Sequence, residues 1–243
     1  MGNEGKRSES GNSIYVYSAT DKKSSPVFGS SEDVDLIENH ISRHVGHADY
    51  VWHELISDLV HIDVHWVKPT HNRNVHTLVT TGMSDLPMTP PVGAEEFKYS
   101  ELMITLPAGW RLSDTAFREE KNYWPIRLLK SLARFPHEYS TWLWQAHTVP
   151  NGEPPRPYDP STGFVGAIIA PPITLSPDFL TLRCNPDQKI HFSSVIPLYP
   201  EEMELKLKKG AEALFDLFDK HSVDETIDVH RVNTAKKKWW QLG

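Results

Sequence analysis

From Val60 the chain alternates. Ile62, Val64 and Trp66 are apolar, His61, Asp63 and His65 between them are polar, and Lys68-Pro69 ends the run. A period of two over this length predicts a strand with one buried and one solvated face. The segments 75–81 (Val75, Thr77, Val79) and 99–106 (Leu102, Ile104, Leu106) repeat the signature. The connections between the three are too short for crossover helices, so they predict an antiparallel meander. Further strands are predicted at 141–148, with Trp142 and Trp144 on one face, at 164–170, 180–183 and 189–196, and as a short last element at 226–232. Residues 14–17 form a short β-prone run without an evident partner.

In three places the period becomes helical. Ser31 is a good N-cap, Glu32 and Asp33 favour a helix N-terminus, Val34, Ile37 and Ile41 share a face, and Gly46 ends the run. In 122–135, Pro125 suits the first turn, Ile126, Leu129 and Leu132/Ala133 make a stripe, and Pro136 closes the helix. From Pro200 a single long helix is predicted, started by Glu201 and Glu202, with Met203, Leu207, Ala211, Leu214 and Phe218 at helical spacing. The expected core comprises Ile62, Val64, Trp66, Val79, Ile104, Leu129, Leu132, Val195, Leu214 and Phe218.

No internal repeat or composition break divides the chain. The expectation is an α+β fold, a mixed and mostly antiparallel sheet with flanking helices, in one domain over 14–233. An unstructured polar tail is expected at 1–13, and a basic aromatic tail at 234–243 that carries Lys236, Lys237, Lys238, Trp239 and Trp240.

Composition narrows the function. Of 243 residues 39% are hydrophobic, enough for a substantial core. No run approaches the roughly 18 apolar residues of a membrane span, and the polar N-terminus has no apolar stretch of a signal peptide. The single cysteine, Cys184, excludes an internal disulfide. These features predict a cytoplasmic protein with no membrane partner. A formal net charge of −7 argues against nucleic acid as a partner, because phosphates need a concentrated basic surface. The same charge either draws in a basic protein partner by long-range steering or simply keeps the protein soluble, and the second reading is preferred.

Candidate chemistry is sparse, and no cofactor is predicted. His61, Asp63 and His65 share one face of a strand and would offer a metal three ligands, with His76 as a fourth. Alternate side chains on a strand lie roughly 6.5–7 Å apart, however, too wide for three ligands on one ion. The solvated-face reading is therefore preferred and no metal is predicted. Gly82-Met83-Ser84-Asp85-Leu86 lacks the Gly that a nucleophile elbow has two places after its Ser. Ser84 and Asp85 are better read as turn-formers that accept backbone N–H groups. The loop 151–163, with Pro154, Pro155, Pro157 and Pro160, is either a stiff recognition element or an ordinary connection.

Four motifs occur in order: Thr80-Thr81-Gly82-Met83-Ser84-Asp85-Leu86, then 101–107 (ELMITLP), then 125–135 (PIRLLKSLARF), then 192–203 (FSSVIPLYPEEM). Together they resemble the suppressor of fused domain family in its bacterial, single-domain form, over about 31–233. The resemblance implies a non-catalytic protein-binding module. Animal members bind a transcription factor with a second, C-terminal domain as well; nothing in the 243 residues corresponds to it, so that activity is not carried over. Bacterial members resemble immunity proteins encoded beside secreted toxins, often nucleases. The implied function is thus a cytoplasmic immunity protein that blocks a cognate toxin. The expected contacts are two proline-stiffened loops, 84–91 and 154–162, through Ser84, Asp85, Pro87, Met88, Tyr158 and Asp159. The alternative is a metal-dependent hydrolase built on His61, Asp63 and His65.

Overall fold

The alternating segments assemble into one eight-stranded sheet with apolar residues packed on both faces. The computed structural model describes residues 3–17, 31–54 and 59–236. In chain order the elements are β1 (Asn3–Arg7), β2 (Ser13–Val16), α1 (Ser31–His44), β3 (Tyr50–Trp52), β4 (Asp63–Val67), β5 (Val75–Thr81) and β6 (Tyr99–Pro107). Then come α2 (Glu120–Tyr139), β7 (Thr148–Pro150), β8 (Gly166–Ala170), β9 (Thr181–Asn185), β10 (Gln188–Leu198), α3 (Pro200–Lys209) and α4 (Ala211–His221). The strand order is β3-β4-β5-β6-β10-β8-β7, with β9 pairing to the start of β10. β10 runs parallel to β6, and the other pairs are antiparallel. This is the predicted mixed, mostly antiparallel α+β domain. No helix among the described residues is long and apolar enough to cross a membrane.

Register explains the layers. Trp66, Leu78 and Ile104 stand side by side across β4, β5 and β6, and His65, Val79 and Met103 stand side by side on the other face. Leu78, Ile104 and Val195 pack with Leu129, Leu132, Ala133 and Trp124 of α2. Val79, Met103 and Phe192 pack with Ile37 and Ile41 of α1 and with Phe179. A third cluster sets Ile168, Ile196 and Leu198 against Leu214 and Phe218 of α4. Burying each such side chain contributes about 1.5–3 kcal/mol. Of the ten expected core residues only Trp66 is not fully buried; it stacks on Trp52 at 5.3 Å and donates Nε1–H to His76 Nδ1 at 2.9 Å.

Several expectations need correction. The polar face of β4 is not solvated: His65 is buried, because α1 covers that side of the sheet. Of the tail expected at 1–13, residues 3–13 instead belong to the β1–β2 hairpin, in which the β-prone run from Ile14 finds its partner in β1. Polar groups close its turn, with the Asn12 N–H bound to Ser8 Oγ and Gly11 at positive φ, and the Ser10 N–H reaches Leu207 O. α2 does not stop at Pro136. That proline gives up one bond near the helix end, and its carbonyl still accepts the Ser140 and Thr141 N–H groups. Segment 141–148 is irregular except for Thr148, and Ala146 takes a φ of 68° there. The long helix from Pro200 is two helices, broken at Gly210 with φ 92° and ψ 170°. Segment 226–232 forms only a bridge from Thr226 to Thr105. Thr234, the expected start of the basic aromatic tail, is buried and bonded to Glu202. The Ser31 capping side chain and Trp239-Trp240 lie outside the described residues.

One ion pair fastens the C-terminal segment. Glu202, fully buried in the first turn of α3, receives both Nη atoms of Arg231 at 2.6 Å, the Thr234 N–H and hydroxyl, and the Tyr199 N–H. The guanidinium also lies over the rings of Phe164, Tyr199 and Phe218. Arg231→Leu would leave a buried carboxylate without its cation, and should cost about 3–5 kcal/mol in urea denaturation. Glu202→Gln in the same chain should recover part of that loss. A loss under about 1 kcal/mol would show that the pair does not hold the segment.

Candidate functional site

The Thr80–Leu86 motif forms a buried polar knot at the end of β5. Gly82 turns the chain with φ 103° into a single 3-10 turn, Met83–Asp85. A Cβ at position 82 would stand 1.8 Å from the His61 carbonyl oxygen, so only glycine fits. The Ser84 N–H and hydroxyl both donate to Glu101 Oε1, at 2.9 and 2.6 Å. The Thr80 hydroxyl donates to Glu101 Oε2 at 2.5 Å, and the Leu102 N–H donates to Thr80 Oγ1 at 2.9 Å. From α2, His137 Nε2–H donates to the Met83 carbonyl at 2.9 Å. One carboxyl thus ties the turn to β5 and β6, and one imidazole ties it to α2.

Burial decides the electrostatics here. It pushes Glu101 up to about 7, against the hydrogen bonds from Ser84 and Thr80, and the nearby Asp85 charge adds to the rise. Burial likewise holds His137 below the usual imidazole range. Ser84 is structural, as expected, but it donates to a carboxylate rather than accepting backbone N–H groups. Glu101 and His137 were not picked out in the sequence. The available signals were a lone charge heading the apolar run 102–104 and a histidine just after Pro136.

The six expected contact residues divide unevenly. Ser84, Met88, Tyr158 and Asp159 are buried, Asp85 is half-buried, and Pro87 is exposed. Met88 Sδ lies 3.4 Å from the Leu143 N–H, and its own N–H binds Lys98 O. Tyr158 stacks on Trp124 with ring centroids 5.3 Å apart and planes 9° apart. Asp159 Oδ1 accepts the Ser161 N–H at 2.8 Å and the Ser161 hydroxyl at 2.5 Å. Each loop is held by turning its own apolar or aromatic residue inward. What these loops and their flanks offer to solvent includes Pro87, Thr89, the stretch 91–93 with Val92 99% exposed, the stretch 152–157, Pro160 and Ser161.

His61, Asp63 and His65 do not converge. Asp63 is held by His53 Nδ1 at 2.7 Å and His61 Nε2 at 2.9 Å, and it accepts the Glu54 N–H at 2.9 Å. His65 is hydrogen-bonded to Thr81 Oγ1 at 3.0 Å, and burial pushes it down to about 4. His76, the fourth ligand considered, sits on the opposite face with Trp66 and donates Nε2–H to Ala108 O. Among the described residues no group of three or more His, Cys, Asp or Glu is placed to hold a metal ion.

The carboxyl of Glu101 predicts a pH dependence. Between the ordinary carboxylate value and about 7, the folded protein keeps a proton that the unfolded chain has released. Stability should therefore fall as pH rises through that window, by up to about 3 kcal/mol. Glu101→Gln preserves the shape of the neutral form and removes this term. Between pH 5 and pH 8, urea denaturation should show the wild type losing about 1–3 kcal/mol relative to the variant. Parallel profiles would show that Glu101 ionises alike in both states.

Comparison with known proteins adds a family. The model of the Suppressor of fused protein (SUFU) family matches residues 58–232, a span that contains the Gly82 turn and Glu101. Among solved structures, a SUFU homolog from Neisseria gonorrhoeae FA 1090 superposes with a TM-score of 0.63 at 18% identity, covering 84% of this chain and 97% of that one. A chain of the Sufu–Fu complex matches with a TM-score of 0.57 at 11% identity, covering 90% and 95%. Drosophila Suppressor of Fused matches with a TM-score of 0.52 at 11% identity; 86% of this chain aligns to about half, 51%, of that longer protein. At these identities the structural likeness is one of fold. No curated protein matches the sequence. With the family model spanning most of the chain, and its turn and carboxyl built into the centre of the sheet, this protein belongs to the suppressor of fused protein family.

Proposed function

We propose that this protein works by binding another protein and turns over no substrate of its own. The observation that carries the reading is its family membership, together with the fold it shares with a chain of the Sufu–Fu complex. The chemistry-bearing side chains support it. The Ser84 hydroxyl is spent on Glu101, His61 pairs with Asp63, and His65 is hydrogen-bonded to Thr81.

The finer reading is an immunity protein acting in the cytoplasm against a toxin, with a basic toxin domain such as a nuclease as the partner. The net charge of −7 supports it, since an acidic inhibitor is steered quickly onto a basic target. The proposed docking surface is the exposed part of the two loops with its flanks, Pro87, Thr89, Pro91, Val92, 152–157, Pro160 and Ser161, where stiff backbone loses little entropy on binding.

Expressing the adjacent gene with and without this chain tests the immunity reading. The neighbour alone should arrest growth, and co-expression should restore it. With purified proteins, association should slow as salt rises, because screening removes steering. A harmless neighbour, or toxicity unaffected by this protein, would overturn the immunity reading and leave the binding module.

A further inference from the structure

α2 carries three cations in one stripe on the side away from the core. Arg127, Lys130 and Arg134 are three and four residues apart, so they follow one helix face over about 10 Å. With Tyr123 and Ser131 they form one wall of an open groove of about 420 Å³, and His53 and Glu54 form the other wall.

These cations are unequally satisfied. Arg127 pairs with Glu120 and donates to the Tyr158 carbonyl at 3.0 Å, and Arg134 pairs with Glu54. Lys130 has no carboxylate within 4.0 Å among the described residues, although it is half-buried. Burial holds its ammonium below the usual lysine range, and Asp63 is the nearby charge that opposes this. A partly desolvated cation is costly, and a carboxylate brought into contact with it would be screened less than in open water. The lining itself carries three cations and one carboxylate, Glu54; Glu120 pairs with Arg127, and the charges of Asp63 and Glu138 act on Lys130 and Arg134 from nearby.

We propose that this groove receives an acidic segment of a protein partner, with a carboxylate on Lys130 and flanking carboxylates toward Arg127 and Arg134. The spacing suits an extended segment. Alternate side chains of an extended chain lie roughly 6.5–7 Å apart, and the three cations rise about 4.5 and 6 Å from one to the next along the helix. Ser131 and Tyr123 add neutral donors on the same wall. Nucleic acid is a poorer fit, since two of the three cations are already paired and the chain carries −7 overall. The inference rests on the protein-binding reading, not on the partner being a toxin.

The test is fluorescence anisotropy on the full chain, with a labelled octapeptide of alternating Glu and Ala and its Gln counterpart. The Glu peptide should bind and weaken with salt, and the Gln peptide should bind at least tenfold more weakly. Lys130→Gln should weaken the Glu peptide about tenfold or more, and Lys130→Arg should retain it. Lys208→Gln, on the exposed side of α3, should leave it unchanged and so exclude a general charge effect. Should Lys130→Gln not fold, hydrogen exchange on the wild type decides: the peptide should protect 123–134. Equal binding of the two peptides, no effect of Lys130→Gln in a folded variant, absence of that protection, or equally tight binding of a single-stranded oligonucleotide would each overturn the proposal. None of these outcomes bears on whether the neighbouring gene encodes a toxin, so the immunity reading can fail separately.

Discussion

The carboxyl of Glu101 is the contact on which the centre of this fold depends. Glu101 lies in β6, paired with Phe192 of β10, where the antiparallel meander meets the one parallel pair. From there it reaches the Ser84 amide and hydroxyl and the Thr80 hydroxyl. An apolar residue at 101 would leave those donors buried without acceptors, at about 1–3 kcal/mol each. Gly82 completes the constraint from the backbone side, because a larger residue would meet the His61 carbonyl. The turn and the carboxyl therefore require one another.

The same device recurs twice. Glu202 gathers Tyr199, Arg231 and Thr234 and so pins the C-terminal segment to α3. Glu225 accepts the Ile173 and Thr174 N–H groups and the Thr174 hydroxyl, fixing the loop after β8. All three glutamates are buried, and each organises a connection rather than a strand. Such fully bonded acids hold loops in one conformation where irregular backbone alone would not. A loop fixed in this way would lose less entropy on docking to a partner.

Much of the architecture was readable because the strands of the meander and the stripe of α2 obey simple periods. What periodicity could not show was burial on both sides of the sheet. His65 and Thr77 are polar and alternate properly, yet both are buried, the first under α1. Trp142 and Trp144 alternate as strand residues do, but their rings part company: Trp142 meets His147, and Trp144 packs on Phe97 and His191. The segment between them is irregular because tertiary packing outweighs local β propensity. Gly210 marked the helix break, but the apolar spacing on either side runs through it.

The expected contact residues were harder to place from the sequence than the fold. Met88 and Tyr158 sit in proline-rich loops, and loops lie on surfaces; yet the apolar members of a loop are the ones that turn inward. Asp159 and Ser84 are short polar residues whose side chains close turns, a use that leaves them little freedom to meet a partner. The groove on α2 was invisible for the converse reason. Its cations belong to different turns of one helix, and only the position of His53 and Glu54 opposite them makes a cleft.

Native-state hydrogen exchange of the Ser84 and Leu102 amides tests the role of Glu101 most directly. In the wild type both amides are held by this knot and should exchange only through global unfolding. In Glu101→Ala they should exchange through a local opening, well before the amides of β10. If the two amides keep the protection of β10 in that variant, the carboxyl does not hold the centre of the fold.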